Sequence, residues 1–511
     1  MGARYFTTPI YYVNGDPHIG HAHTSVMADV LRRAALMRGD EVFLSTGTDE
    51  HGQKNQQSAE ESGLGVREYQ DRQSGRFRAL FERLNVGFDF WTRTSSDGHK
   101  AAVQAFLSRL MDRGLVARKE YSGVYCVGCE QFKRPSDLDE RGRCSDHPSL
   151  TPQETSEVNY FLTLAPFQDW LVGEIERRED WIRPGFYRRE LLAMLASPLE
   201  DLCISRPKSR VWLGVDLPFD PDYVTYVWFD ALVNYVSNIG WPDDGYLRWW
   251  PGATHLLAKD ILKTHCIYWP IMLRALDIAP PAAFRVHGYW VGKGGVKMSK
   301  TLGNVVDPGR LADLVGVDGL RFYLARAMTG GDAQISESLA VASYNSDLAN
   351  NIGNLYSRVA KSVGRYFDGA VPAPAALDPA DAELHAWCLA AADRVLARVD
   401  LDTIAETVQT LVDIGLRLNG HFEAAAPWNL AKDPGRRERL ESVLYACLDC
   451  LRVLFELAWP LMPATAERAL ANVGAPAPPA AGGRAHDFAA ARLRPGARVG
   501  GDSNLFPRIK P

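Results

Sequence analysis

Apolar residues Tyr5 and Phe6 open the chain as a short strand, and a polar turn follows. Beyond it Val26, Val30, Ala34 and Met37 recur at steps of three and four, which predicts a helix from about 21 to 37. Arg32, Arg33 and Arg38 fall in its last turns and Gly39 comes next, a basic end followed by a glycine stop. Val42-Phe43-Leu44 reads as a second strand, so the chain begins with a βαβ unit. Strand–helix alternation continues to about 115 and predicts a parallel sheet covered by helices. From 116 to 215 the pattern breaks into short β-like pieces, Val124-Tyr125 and Tyr160-Phe161-Leu162-Thr163, among polar loops. This stretch reads as an insertion into the first domain.

Strand-like sequence returns near 223 with Tyr226-Val227-Trp228-Phe229-Asp230. Then come His255-Leu256-Leu257-Ala258-Lys259-Asp260, a helix expected from 261 to about 275, and a strand over 284–291. Residues 336–472 are helical throughout, with breaks at 371–376 and at Asp433-Pro434, which predicts a bundle of about five helices. An Ala/Pro/Gly-rich tail follows, and the apolar members of Leu505-Phe506-Pro507-Arg508-Ile509 are expected to dock on a folded surface. The division is therefore 1–115 and 216–335 as two halves of a catalytic domain, 116–215 inserted, 336–472 a helical domain, and 473–511 an irregular tail.

Composition narrows the classes. A chain of 511 residues, 46% hydrophobic and 23% charged, is an ordinary globular protein of several domains. The most apolar run, 451–462, is interrupted by Arg452 and Glu456, so no membrane span is expected. No cleavable leader pattern precedes the first strand, and the expected location is the cytoplasm. With a net charge of -5, any nucleic-acid partner must be met by local basic clusters. The eight cysteines do not form a disulfide framework.

Four groups of residues carry candidate chemistry. His18-Ile19-Gly20-His21 stands at the first helix start, where unpaired N–H groups suit phosphate; alone it is equally an ordinary polar helix start. Thr46 to Gly52 puts ionisable groups at a strand C-terminus, where such sheets bind ligands. Lys297 and Lys300, after a glycine-rich stretch, read either as a solvated basic loop or as cations that close over a triphosphate. Cys126-x2-Cys129 and Cys144-x2-His147 have the spacing of two metal knuckles, so one tetrahedral Zn2+ is expected, and four protein ligands make it structural. Cys447 and Cys450 share that spacing but lie in a helical pattern with no partner pair, and core packing is the better reading.

His18-Ile19-Gly20-His21 and Lys297-Met298-Ser299-Lys300-Thr301 together resemble the two signatures of class I aminoacyl-tRNA synthetases, Thr301 keeping the hydroxyl of the usual serine. The resemblance narrows to the methionyl-tRNA synthetase family over 8–15, 46–54, 226–235, 255–270 and 297–308. It implies a Rossmann-like α/β catalytic domain, a connective insertion with a zinc knuckle and an α-helical anticodon-binding bundle. It implies L-methionine, ATP with Mg2+, and tRNA(Met), including the initiator, as partners; no appended dimerisation module is visible after the bundle, so a monomer is expected. The implied catalytic residues are His18, His21, Lys297 and Lys300, with Gly20, Lys259 and Asp260 also on ATP. The implied methionine pocket is Ile10, Tyr12, Asp49, Trp228, Ala231, Leu232, Tyr235, Ile261 and His265. Independently, Asp49 suits an ammonium group and the aromatic residues suit a thioether, although without the resemblance core packing is the better reading of Trp228 and Tyr235. Asn354, Arg358 and Trp428 match anticodon-reading positions, and Asn354 and Arg358 share a helix face. Ala258 departs from the family, which usually has glycine there, and puts the ATP geometry in question.

Overall fold

The computed structural model describes residues 2–126, 131–133, 138–144, 151–295, 306–328, 330–478, 483–501 and 504–510. Among them a seven-stranded parallel sheet organises the first half of the chain. Its order runs Tyr11–Tyr12, Glu41–Asp49, Ala3–Thr7, Ala253–Ala258, Ala283–His287 and Ile182–Arg183, with Phe90–Arg93 on the far side of Glu41–Asp49. Glu41–Asp49 and Ala253–Ala258 flank Ala3–Thr7 on opposite sides, so the direction of winding reverses there. A crevice at the C-terminal ends of strands beside such a reversal is where open α/β sheets bind ligands.

Helix Ile19–Met37 links the first two long strands. It starts slightly before the periodic pattern because His18 caps it, and it ends at Gly39, whose φ of +83° a side chain would strain. Nearly all of it is buried, since one face meets the sheet and another meets the helical half. Arg321 fixes that second contact. Its guanidinium is fully buried and donates to Asp29 Oδ2 at 2.7 Å and to the Leu84, Pro460 and Leu461 carbonyls at 3.1, 2.9 and 3.0 Å. Loss of one partner from a buried pair of this kind costs about 3–5 kcal/mol, because the other charge is stranded.

Two boundaries differ from the sequence expectation. The stretch assigned to the insertion rejoins the main sheet at Ile182–Arg183, a two-residue strand too short to leave a pattern. Helical packing begins at Pro308–Val315 and Val317–Ala327, before 336, and these helices share the core of the bundle. The insertion itself is an antiparallel sheet ordered Gln131–Lys133, Val116–Cys126, Gln153–Leu162, Leu202–Cys203.

The helical half contains five long runs: Glu337 to Phe367, Pro379–Leu396, Ile404–Ala425, Arg437–Ala458 and Pro463–Asn472. The first widens into a π-helix at Tyr344–Gly353, where Asn351 sits over Gly415 and donates to the Val412 carbonyl at 3.0 Å. Cys447 and Cys450 are buried in this core, as expected. Among the described residues the tail crosses the bundle with no helix or strand, only an isolated bridge from Arg498 to Ala370. His486 N–H donates to the Met37 carbonyl at 2.7 Å, while Leu505 and Phe506 are buried.

Candidate active site

The N-terminus of helix Ile19–Met37 lies at the crevice. His18 Nδ1 accepts from the Gly20 N–H at 3.1 Å, and His21 Nδ1 accepts from the His18 N–H at 3.2 Å. Each ring therefore carries its proton on Nε2. The rings stack with centroids 3.7 Å apart. A Cβ on Gly20 would lie 3.0 Å from the His18 ring, so the glycine makes room for that imidazole.

Beside this terminus a pocket of about 320 Å³, partly open to solvent, is lined by Pro9, Ile10, Tyr12, Asp49, Trp228, Ala231, Leu232, Tyr235 and His265. Ile10 comes from the turn after the first strand, Tyr12 from strand Tyr11–Tyr12 and Asp49 from the end of Glu41–Asp49, where the two pair. Trp228 to Tyr235 lie on helix Val227–Ser237, which corrects the strand-like reading of 226–230. That helix is buried around most of its circumference, Asp230 and Asn234 included, and its β-branched and aromatic content misleads. Tyr12 and Trp228 meet edge to face at 5.8 Å.

His265 lies on a π-turn, Thr264–Tyr268, within the stretch expected to be one α-helix from 261 to 275. Pro270, which has no N–H, begins the α-helical part at Trp269–Arg274 and helps explain the break. Burial lowers the His265 pKa to about 4, against an opposing bond to the Ile261 carbonyl, so the ring is neutral. Nδ1–H donates to that carbonyl at 3.0 Å, and Nε2 accepts from the Tyr235 hydroxyl at 2.7 Å. Ile261 thus orients His265 by its backbone and is not among the lining residues. Tyr235 also packs on His255 at 4.2 Å. His255 Nε2 accepts from the Trp269 indole at 3.2 Å, so Nδ1–H donates to Thr7 Oγ1 at 2.7 Å and joins the two strands at the reversal.

The other expected residues lie as follows. Lys259 is paired with Asp332 at 2.8 Å and sits over the Tyr289 ring, and Asp260 beside it is exposed. Ala258 has φ -83° and ψ 156°, a conformation open to any L-residue, so the backbone does not demand glycine. Cys126 and Cys144 are buried in the insertion, whereas Cys129 and His147 lie outside the described residues. So do Lys297, Lys300 and Thr301. Among the described residues no group of three or more ligating side chains is assembled. On the bundle, Arg358 pairs with Glu423 at 2.5 Å and lies over Trp428 at 5.7 Å, with Asn354 exposed one turn away.

Several residues at this site escaped the sequence reading. Arg206 is fully buried over Tyr226 at 4.6 Å and Tyr125 at 5.3 Å, bridging the insertion and the pocket helix. Asp230 is fully buried between His51 and His99. Burial opposes its charge, but the two imidazoles outweigh that and hold the carboxyl at about 2. Nothing in local spacing marks such residues, because their partners are distant in sequence.

The chain matches the family described as tRNA synthetases class I (M) over residues 4–147 and 134–360. It is 40% identical over 469 residues to the methionine–tRNA ligase of Clostridium tetani, covering 91% of this chain and 72% of that one. Identity to the methionine–tRNA ligase of Rickettsia felis is 37%, with 92% of each chain covered. The chain belongs to the methionine–tRNA ligases. A solved methionyl-tRNA synthetase of Mycobacterium tuberculosis, in complex with methionyl-adenylate, superposes with a TM-score of 0.93 at 34% identity, over 99% of this chain and 100% of that one. This methionine–tRNA ligase is thus an enzyme of the class I synthetases, with an α/β fold built on a parallel sheet.

Proposed function

We propose that this methionine–tRNA ligase condenses L-methionine with ATP to methionyl-adenylate and pyrophosphate, then transfers the methionyl group to the 3′-terminal ribose of tRNA(Met), the initiator included. One observation carries the reading: a small pocket, acidic at Asp49 and aromatic at Trp228 and Tyr235, adjoins a helix N-terminus that presents two imidazole donors. The Asp49 carboxylate suits the α-ammonium group. Trp228 and Tyr12 suit the polarisable thioether. The Tyr235 proton is given to His265, so a hydrogen bond to sulfur requires that hydroxyl to turn away from His265 as methionine enters.

The methionine carboxylate attacks the α-phosphorus, and the bond to the pyrophosphate oxygen breaks. No protein nucleophile is needed. His18 and His21 donate from Nε2 to phosphate oxygens, Gly20 keeps the approach open, and Lys297 and Lys300 neutralise the leaving pyrophosphate. Lys259 and Asp260 border the nucleotide, and Mg2+ bound with ATP offsets triphosphate charge. In the second step a ribose hydroxyl attacks the methionyl carbonyl and AMP departs. Asn354 and Arg358 read anticodon base edges while Trp428 stacks on an unpaired base.

One structural Zn2+ held by Cys126, Cys129, Cys144 and His147 completes the reading. Two buried thiols fit it, and so does the insertion's lack of an apolar cluster of its own between 117 and 159 among the described residues. A module without a core needs a staple. Amino-acid-dependent ATP–pyrophosphate exchange tests the whole proposal. Exchange with methionine and little with leucine or isoleucine is expected; absence of methionine-dependent exchange would overturn it.

A further inference from the structure

The two chemical sides of the pocket come from segments far apart in sequence. Asp49 ends a strand of the sheet, whereas Trp228, Ala231, Leu232 and Tyr235 belong to helix Val227–Ser237. Asp230 lies on that same helix but does not line the pocket. It is fully buried, which is costly for a carboxylate unless it is paired. His51 Nδ1 donates to its Oδ2 at 2.5 Å and His99 Nε2 donates to its Oδ1 at 2.7 Å. His99 Nδ1 in turn lies 3.1 Å from Ser237 Oγ, on the last turn of the helix.

His51 follows Asp49 by two residues, and the short segment between them is tightly held. Asn55 donates through Nδ2 to the Asp49 carbonyl at 2.9 Å and to the His51 carbonyl at 2.7 Å. The His51 N–H reaches back to Asp49 Oδ1 at 3.4 Å. A bond from His51 to Asp230 therefore fixes where the Asp49 carboxylate stands relative to Trp228 and Tyr235. Packing alone gives no reason for a buried ion at this point, because apolar residues of similar volume are commonly as stable. The expense makes sense where two separate segments must be held in one register.

We propose that Asp230, through His51 and His99, is a positioning residue that holds the Asp49 carboxylate opposite the aromatic wall of the amino-acid pocket. The inference rests on the reading of that pocket as the methionine site. It predicts a loss confined to amino-acid binding, since His18, His21 and the nucleotide end of the crevice lie on a different helix.

The test is methionine-dependent ATP–pyrophosphate exchange with the full chain and four variants. H51A and H99A should raise the KM for methionine about 10- to 100-fold, the penalty of a carboxylate displaced by about an ångström. The KM for ATP should stay within about twofold, the pattern of a lost ground-state contact to one substrate only. H51N places an amide N–H where Nδ1–H stood, and H99Q places one where Nε2–H stood, so both should return close to the wild-type KM for methionine. The proposal is overturned if H51A and H99A leave that KM unchanged, if the amide variants are as impaired as the alanine variants, or if methionine and ATP are weakened together in step with a lowered Tm. Wild-type protein without methionine-dependent exchange would instead overturn the assignment of the pocket.

Discussion

Burial sets the protonation of the histidines around the crevice. His265 and His287 are both held at about 4, burial outweighing the backbone carbonyl that each donates to, and His255 is pushed down in the same direction. In the unfolded chain these rings take a proton near pH 6.5. Between about 6.5 and 4 the unfolded state therefore binds more protons, and stability must fall as the pH drops through that window, by up to about 3 kcal/mol for each ring held at 4. The carboxylates that are held down, Asp29 and Asp230, act in the separate window below about pH 4. Denaturant unfolding at pH 7.5 and pH 5 checks this: a clear loss is expected at pH 5, and equal stability would contradict the buried neutral assignment. At this scale the sequence was legible where a residue type announces its chemistry. Asp49, Trp228 and Tyr235 converge on one pocket as the resemblance implied. Asp230, among ordinary apolar neighbours, and Arg206, in a polar stretch, were not legible, because each acquires its meaning from partners across the fold.

The elements were legible where one face only is buried. The first βαβ unit follows its pattern closely, from the strand at Ala3–Thr7 to the glycine stop after Met37. The pattern failed on helix Val227–Ser237, which is buried nearly all round, and on the π-turn at Thr264–Tyr268, which no periodicity marks. It also failed on the insertion's limits, since Ile182–Arg183 is too short to read. In the insertion Cys126, at the end of a strand, and Cys144 are buried, while no apolar cluster lies between 117 and 159 among the described residues. Metal analysis should find about one zinc per chain. Cys126→Ser should lower that content and lower the Tm of the insertion; unchanged zinc in the variant would show that the ligand set is wrong.

Across the whole molecule, the sheet and the helical half share one apolar core and are joined by polar contacts, from the buried Arg321–Asp29 pair to the exposed Arg83–Asp313 pair. Arg321 ties helix Ile19–Met37 to the ends of two bundle segments, and Arg285 clamps Asp400 with bonds of 2.7 and 2.8 Å between the sheet and the turn before Ile404–Ala425. The proposed tRNA contacts and the proposed chemistry thus stand on separate parts of one structure. Trp428→Ala should raise the KM for tRNA(Met) in aminoacylation by about 10-fold or more, the scale of a lost base stack of 1–3 kcal/mol, and leave methionine–ATP exchange intact. Parallel loss in both assays would give Trp428 a folding role.

An amino acid and a nucleotide are expected to meet at the sheet's reversal between Ala3–Thr7 and Ala253–Ala258. A crystal structure with L-methionine and a non-hydrolysable ATP analogue measures it directly. The expected result has the ammonium group on Asp49, the thioether between Trp228 and Tyr235 beside His265, and the triphosphate over His18 and His21. Methionine bound elsewhere, or phosphates away from the N-terminus of helix Ile19–Met37, would contradict it.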